Sequence, residues 1–175
     1  MILFQIERAV PNWNVVDAVI RETVDAAVET AKLCTVPPDA WDGYHYELSL
    51  LLTDDAQVRE LNREHRGKDK PTNVLSFPSE QIEPGGIPPH QLLGDLVFAR
   101  ETCAREAEAQ GKAFGDHFRH LLVHGLLHIY GYDHLDDEGA DAMEELERRT
   151  LARLGIADPY AQMDANPAHR AHHAG

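Results

Sequence analysis

Apolar side chains recur at two different spacings along this chain, and the spacing separates strands from helices. Ile2 to Glu7 alternates apolar and polar residues, the period of a half-buried strand, and Pro11-Asn12 ends it. From about Trp13 to Leu33, residues such as Val16, Val19, Ile20, Val24, Ala27 and Val28 return at helical spacing with charges between them. Val36-Pro37-Pro38 stops that helix. Tyr44 to Leu52 is dense in aromatic and apolar residues and predicts a central strand. Thr53 is expected to cap the next helix, with Asp54 and Asp55 in its first turn, where negative charge is favoured. That helix turns Val58 and Leu61 inward and ends near Gly67.

A charged loop follows, and then a short strand from Asn73 to Phe77 that Pro78 terminates. Residues 79 to 93, with Pro84, Gly85, Gly86, Pro88 and Pro89, predict an irregular surface loop. Asp95 to Ala99 reads as a strand. Helices are predicted from Arg100 to Gln110, Ala113 to Tyr130 and Asp136 to Leu154, with Gly155 as a C-cap. Strands placed early and helices clustered late predict an α+β fold, a small mixed sheet with helices packed against it. Residues 1–160 are expected to form one domain and 161–175 a mobile tail holding His169, His172 and His173.

Composition narrows the class. A chain of 175 residues with 43% hydrophobic and 26% charged content is ordinary for a soluble globular protein. No apolar run is long enough to span a bilayer and no signal-peptide pattern opens the chain, so no membrane association is expected. Two cysteines make no disulfide framework, which fits a reducing cytoplasm. The net charge of −14 repels nucleic acid at long range, yet five of the 16 Lys and Arg fall between Arg59 and Lys70. Such a patch on an acidic body can hold a phosphate backbone at one chosen place, although charge alone favours the reading of a solvated helix face and loop.

Chemistry concentrates in residues 120 to 134, His-Leu-Leu-Val-His-Gly-Leu-Leu-His-Ile-Tyr-Gly-Tyr-Asp-His. His124 and His128 are four apart, so a helix stacks them on one face about 6 Å apart along its axis. Gly131 is suited to a left-handed turn that returns His134 towards them. Three imidazoles with a fourth position open describe a catalytic zinc site, whereas a structural one closes all four. One divalent ion, expected to be zinc, is therefore assigned to His124, His128 and His134. His117 and His120 extend the stripe upstream and are read as structural or as groups behind the ligands. Asp95 and Asp133 are both candidates to orient a ligand, and the sequence does not choose between them. The histidine spacing is that of the metzincin proteases, except that Gly125 stands where those enzymes carry a general-base Glu.

Three blocks carry a closer likeness. Arg-Gly-Lys-Asp-Lys-Pro-Thr-Asn-Val-Leu-Ser-Phe-Pro at 66 to 78, Leu-Gly-Asp-Leu-Val at 93 to 97, and the histidine block at 124 to 134 resemble the YbeY family of bacterial endoribonucleases. Asp158-Pro159-Tyr160 also looks familial, and the likeness runs from about residue 45 to 160. It implies a zinc-type metal on the three histidines, a functional arginine at Arg66, and cleavage of single-stranded RNA. It further implies work in ribosomal RNA maturation near the 3′ end of the small-subunit RNA and in ribosome quality control. The implied partners are the small ribosomal subunit, one of its proteins and a ribosome-assembly GTPase.

Physical chemistry supports a narrower expectation. Zinc lowers the pKa of bound water to ~7, which makes the missing Glu tolerable in phosphodiester hydrolysis. With the 2′-hydroxyl as nucleophile, the metal instead acts as a Lewis acid. Arg66 is suited to hold a phosphate oxygen and stabilise charge developing on phosphorus, with Arg63, Lys68 and Lys70 on the flanking backbone. Two other classes compete: a metzincin-like peptide or amide hydrolase, and a non-enzymatic ribosome-assembly factor with a structural metal.

Overall fold

The computed structural model describes residues 1–161. The expected mobile tail, with its three histidines, lies outside the described residues except for Ala161. The elements are β1 (Ile2–Arg8), α1 (Asp17–Ala31), β2 (Tyr46–Thr53), α2 (Asp55–Arg66), β3 (Val74–Pro78), β4 (Leu92–Ala99), α3 (Arg100–Ala109), α4 (Phe114–Ile129) and α5 (Asp137–Arg153). They form the α+β architecture that the hydrophobic pattern predicts. The sheet order is β1-β2-β4-β3. β2 is central, parallel to both neighbours, and β3 lies on the edge antiparallel to β4. Among the described residues no helix is long and apolar enough to cross a membrane.

Each face of the sheet buries a different layer. Leu48, Leu50, Leu52, Leu96 and Phe98 point to the main core, where Ile20 and Val24 of α1, Leu122 and Leu126 of α4 and Leu151 of α5 meet them. Leu75, Val97 and Ala99 point the other way, and Val58 of α2 covers them. This alternation places α4 on the main-core side of β3 and β4, and α2 on the opposite side.

Several boundaries shift by a residue or two from the sequence pattern, β3 running to Pro78 itself, and three differences have a visible cause. α1 begins at Asp17 because Trp13 and Val15 are buried from the preceding loop; Trp13 packs on Phe98, Phe114 and Phe118, and its indole N–H donates to Thr53 O at 2.9 Å. Thr53 stays in β2, and the cap of α2 is Asp54, whose carboxylate accepts Gln57 N–H at 2.9 Å. β4 starts at Leu92 instead of Asp95, because pairing with β2 continues past Gly94 through a register shift and recruits the end of the loop.

Gly94 explains how α4 comes so close to the sheet. Its φ is +149°, and a Cβ there would sit 2.3 Å from Phe77 O and 2.9 Å from the Ile129 side chain at the end of α4. Gly94→Ala is therefore expected to destabilise the fold by about 2–4 kcal/mol, from backbone strain plus overpacking. Gly115→Ala, in the exposed first turn of α4 with nothing within 4 Å of a new Cβ, is expected to be neutral or to stabilise by up to about 1 kcal/mol. Urea unfolding midpoints of the two variants against the native protein check this pair.

Candidate metal centre

Because α4 sends Phe118, Leu121, Leu122, Leu126 and Leu127 into the core, the helix cannot rotate about its axis. His124 and His128 are thereby fixed on its remaining stripe, with their Nε2 atoms 3.0 Å apart. Gly131, at φ +93°, reverses the chain immediately after the helix. A Cβ there would lie 2.3 Å from Ile82 O, so the loop after β3 packs directly on this turn. His134 returns with its ring centroid 5.6 Å from His124 and 5.1 Å from His128. One ligand nitrogen from each ring lies within 4.8 Å of the others. The structure thus brings together the three histidines that the spacing predicts.

Hydrogen bonds set the tautomers. His128 Nδ1 is 2.9 Å from Tyr132 O, a carbonyl that can only accept, so the proton sits on Nδ1. Burial, with His124 and His134 adding to it, lowers the pKa of His128 to about 4, so this ring is neutral at pH 7 and its Nε2 is a bare lone pair. His124 Nδ1 is 2.6 Å from Glu147 Oε1. Glu147 is fully buried; burial works to raise its pKa, but the His120 and His124 imidazoles outweigh that and hold it near 2. An ionised carboxylate is acceptor-only, which puts the His124 proton on Nδ1 as well. A neutral His124 then aims a second bare Nε2 at the first across 3.0 Å.

Two lone pairs at that distance repel unless a proton or a cation lies between them. Zinc with arms of ~2.0–2.1 Å in tetrahedral geometry spaces its nitrogens about 3.4 Å apart, close to what the pair shows. The donor set therefore fits a zinc-type ion. Among the described residues the group consists of these three histidines, and no carboxylate or thiolate completes a closed four-ligand cage.

Gly125 faces away from this centre. A Cβ there would come within 2.9 Å of Leu96 Cδ2 and 3.4 Å of Ser76 Oγ, so the position serves close packing of α4 on β3 and β4. A glutamate placed there would point into the sheet.

Arg66 ends α2 and crosses the edge of the sheet, its guanidinium donating to Ser76 O at 3.0 Å, its one side-chain hydrogen bond among the described residues. The Ser76 hydroxyl in turn donates to Gly125 O at 3.4 Å. Arg66 is thus two contacts from the turn of α4 that carries His124 and His128. Arg63, Lys68 and Lys70 are exposed around it. Arg59, from the same basic run, is occupied by Asp69 at 2.8 Å.

Neither aspartate considered from sequence orients a ligand. Asp133 caps its own turn through Leu135 N–H at 3.2 Å. Asp95 lies on the far face of the sheet beside Ser49, in an open groove of about 700 Å³ with His65 and Phe77. Glu147 fills the role instead. Its signal was in the register of α5, where Ala140, Met143, Glu147, Thr150 and Leu151 form the buried stripe, so a charged residue occupies a core position. His117 is anchored by Glu106 at 3.1 Å, and His120 reaches Tyr160 OH at 3.3 Å.

A family model described as Endoribonuclease YbeY matches residues 7–155. The chain belongs to the YbeY family. Endoribonuclease YbeY of Agrobacterium fabrum is 61% identical over 115 residues, 66% of this chain and 68% of that one. The Rhodopseudomonas palustris protein of the same name is 51% identical over 150 residues, 85% of this chain and 76% of that one. The solution structure of TM1509 from Thermotoga maritima superposes with a TM-score of 0.53 over 95% of both chains at 20% identity, a likeness of fold. YbeY likeness begins well before residue 45, where the motif blocks alone had placed its start. The structure explains why: β1 pairs along the central strand and α1 packs in the main core, so neither is dispensable to the fold.

Glu147→Gln preserves shape and removes the charge behind His124. It is expected to raise the zinc dissociation constant about 10–100-fold while the protein stays folded. Competition against a chromophoric chelator, with circular dichroism on the same samples, checks this.

Proposed function

We propose that this chain is a metal-dependent, single-strand-specific endoribonuclease acting in ribosomal RNA maturation, including the 3′ end of the small-subunit RNA, and in ribosome quality control. His124, His128 and His134 hold one divalent ion, assigned as zinc, and Arg66 binds phosphate. The observation that carries the reading is the convergence of three imidazoles, two with Nδ1 already engaged, in a chain whose family model is described as an endoribonuclease. The protein is placed in the cytoplasm, with single-stranded ribosomal RNA as substrate and the small ribosomal subunit and its assembly factors as partners.

A divalent ion bound there supplies Lewis acidity and eases deprotonation of water. The protein supplies the rest. Tyr132 O and Glu147 lock the His128 and His124 rings, so the ligand atoms need no reorganisation. Arg66 uses one N–H on Ser76 O and keeps its remaining donors for a phosphate oxygen, where a planar fork of fixed charge meets the charge that develops on phosphorus. Arg63, Lys68 and Lys70 hold the flanking phosphates.

Two observations weigh against the competing classes. Gly125 faces Leu96, so the fold has no place for the general-base Glu of a metzincin-like hydrolase. Among the described residues the donor set has three members and no fourth protein ligand, which is unlike a structural zinc site.

Cleavage of a labelled single-stranded RNA by native protein, Arg66→Ala and His128→Ala, each with and without chelator, tests the proposal. Arg66→Ala is expected to lose about 100-fold or more in rate. His128→Ala and the chelated native protein are expected to be inactive, with zinc restoring only the latter. Equal cleavage by all three folded proteins would sink the assignment. Separately, Lys68→Ala and Lys70→Ala are each expected to weaken RNA binding and to flatten its dependence on log salt by about 0.7. Affinity titrations across a salt series measure that slope.

A further inference from the structure

The Glu147 carboxylate has two oxygens, and only Oε1 faces the metal centre, at 2.6 Å from His124 Nδ1. Oε2 accepts a short hydrogen bond from the hydroxyl of Tyr160. Tyr160 comes from the segment that follows α5 and folds back over α4. That segment is fastened at several points. Asp158 Oδ1 accepts Tyr160 N–H at 2.8 Å, and Arg148 Nε donates to the same carboxylate at 3.3 Å while its guanidinium lies 5.3 Å above the Tyr160 ring. His120 stands edge-on to that ring at 5.5 Å. Burial and the neighbouring carboxylate push the Tyr160 hydroxyl far above its ordinary pKa, so it remains a donor.

We propose that Tyr160 is a positioning residue for the metal centre: by holding Glu147 Oε2 it fixes the carboxylate plane that sets the orientation of His124. This rests on the three-histidine metal reading and goes beyond it, because it ties the closing segment of the domain to the ion. Without the hydroxyl, the nearest remaining donor to Oε2 among the described residues is His120 Nε2 at 3.7 Å, outside hydrogen-bond range. The carboxylate then rotates towards His120, and the bond that aligns His124 Nε2 is lost from its best geometry. Linkage makes the effect reciprocal, so zinc must also tighten the segment that carries Tyr160.

Zinc affinity of the full chain, by chelator competition, tests this, with His128→Ala as the correction for zinc held elsewhere on the chain. Tyr160→Phe keeps the ring and is expected to raise the dissociation constant about fivefold, the effect of one hydrogen bond. In a Glu147→Gln background the same change is expected to add nothing, because the hydroxyl acts through that carboxylate. An unchanged constant, or a full additional loss in the double variant, would overturn the proposal. Amide hydrogen exchange on the native protein gives a second reading that no folding defect can obscure: residues 156–161 are expected to exchange more slowly with zinc, and unchanged rates would also overturn it. Native protein that takes up no zinc beyond His128→Ala would remove the metal reading itself, an outcome visible without the Tyr160 variant.

Discussion

Close contact between α4 and the sheet is the constraint on which everything at the candidate site depends. Two glycines permit it from opposite sides: Gly94 in β4, where a side chain would strike Ile129 and Phe77 O, and Gly125 in α4, where one would strike Leu96. With the helix pressed against β3 and β4, its apolar residues fill the core and its histidine stripe has a single orientation. A metal centre requires ligands held to fractions of an ångström, and a buried helix provides that more rigidly than a loop. The same contact accounts for the absence of a glutamate after His124, since that position already serves the packing.

The second constraint is electrostatic. Glu147 is a fully buried carboxylate, and removing such a charge from water costs several kcal/mol unless partners offset it. Here the partners are the His124 imidazole on one oxygen and the Tyr160 hydroxyl on the other, with His120 behind them. A similar pattern recurs about two turns upstream, where Glu106 accepts from Asn73 at 2.9 Å and meets His117 at 3.1 Å. The helix that carries the ligands is thus braced along its length by carboxylates from α3 and α5. A buried carboxylate held by hydrogen bonds is weak evidence of stability, and its better use is to specify one arrangement among several, which is what a helix carrying the histidine cluster needs.

Sequence pattern made the histidine cluster and the architecture legible, for identifiable reasons. His124, His128 and His134 are linked by local geometry alone, a helical step and a glycine turn, so spacing suffices to bring them together. The order of strands and helices likewise follows from local periodicity. Tertiary relations were less legible. Trp13 and Val15 have the period of α1 but are buried from outside it, because an indole hydrogen bond to Thr53 O and packing on three phenylalanines hold Trp13 in the loop. Glu147 sits within a run of acidic residues that reads as a solvated face, and only the register of its own helix marks it as buried. Asp95 and Asp133 were nearer in motif to the histidines, yet one lies on the far face of the sheet and the other serves its own turn.

The contacts of Arg66 show how two separated sequence blocks come together in the fold. Residues 66 to 78 form the end of α2, a charged loop and the edge strand β3, and the histidine block forms α4 and its turn. They meet only because β3 is the antiparallel edge strand beside β4, which sets Ser76 against Gly125 and gives Arg66 a carbonyl to rest on. Charge then gives the site a direction. The acidic run of α5 lies behind the histidines, with Glu147 its one fully buried carboxylate. Exposed Arg63, Lys68 and Lys70 stand at the α2 and β3 side, while Arg59 is neutralised by Asp69. On the proposed reading, a polyanion is repelled by most of a chain of net charge −14 and held where the basic residues between Arg63 and Lys70 cluster. An overall acidic protein is therefore compatible with an RNA substrate, and the acidity itself confines where that substrate can bind.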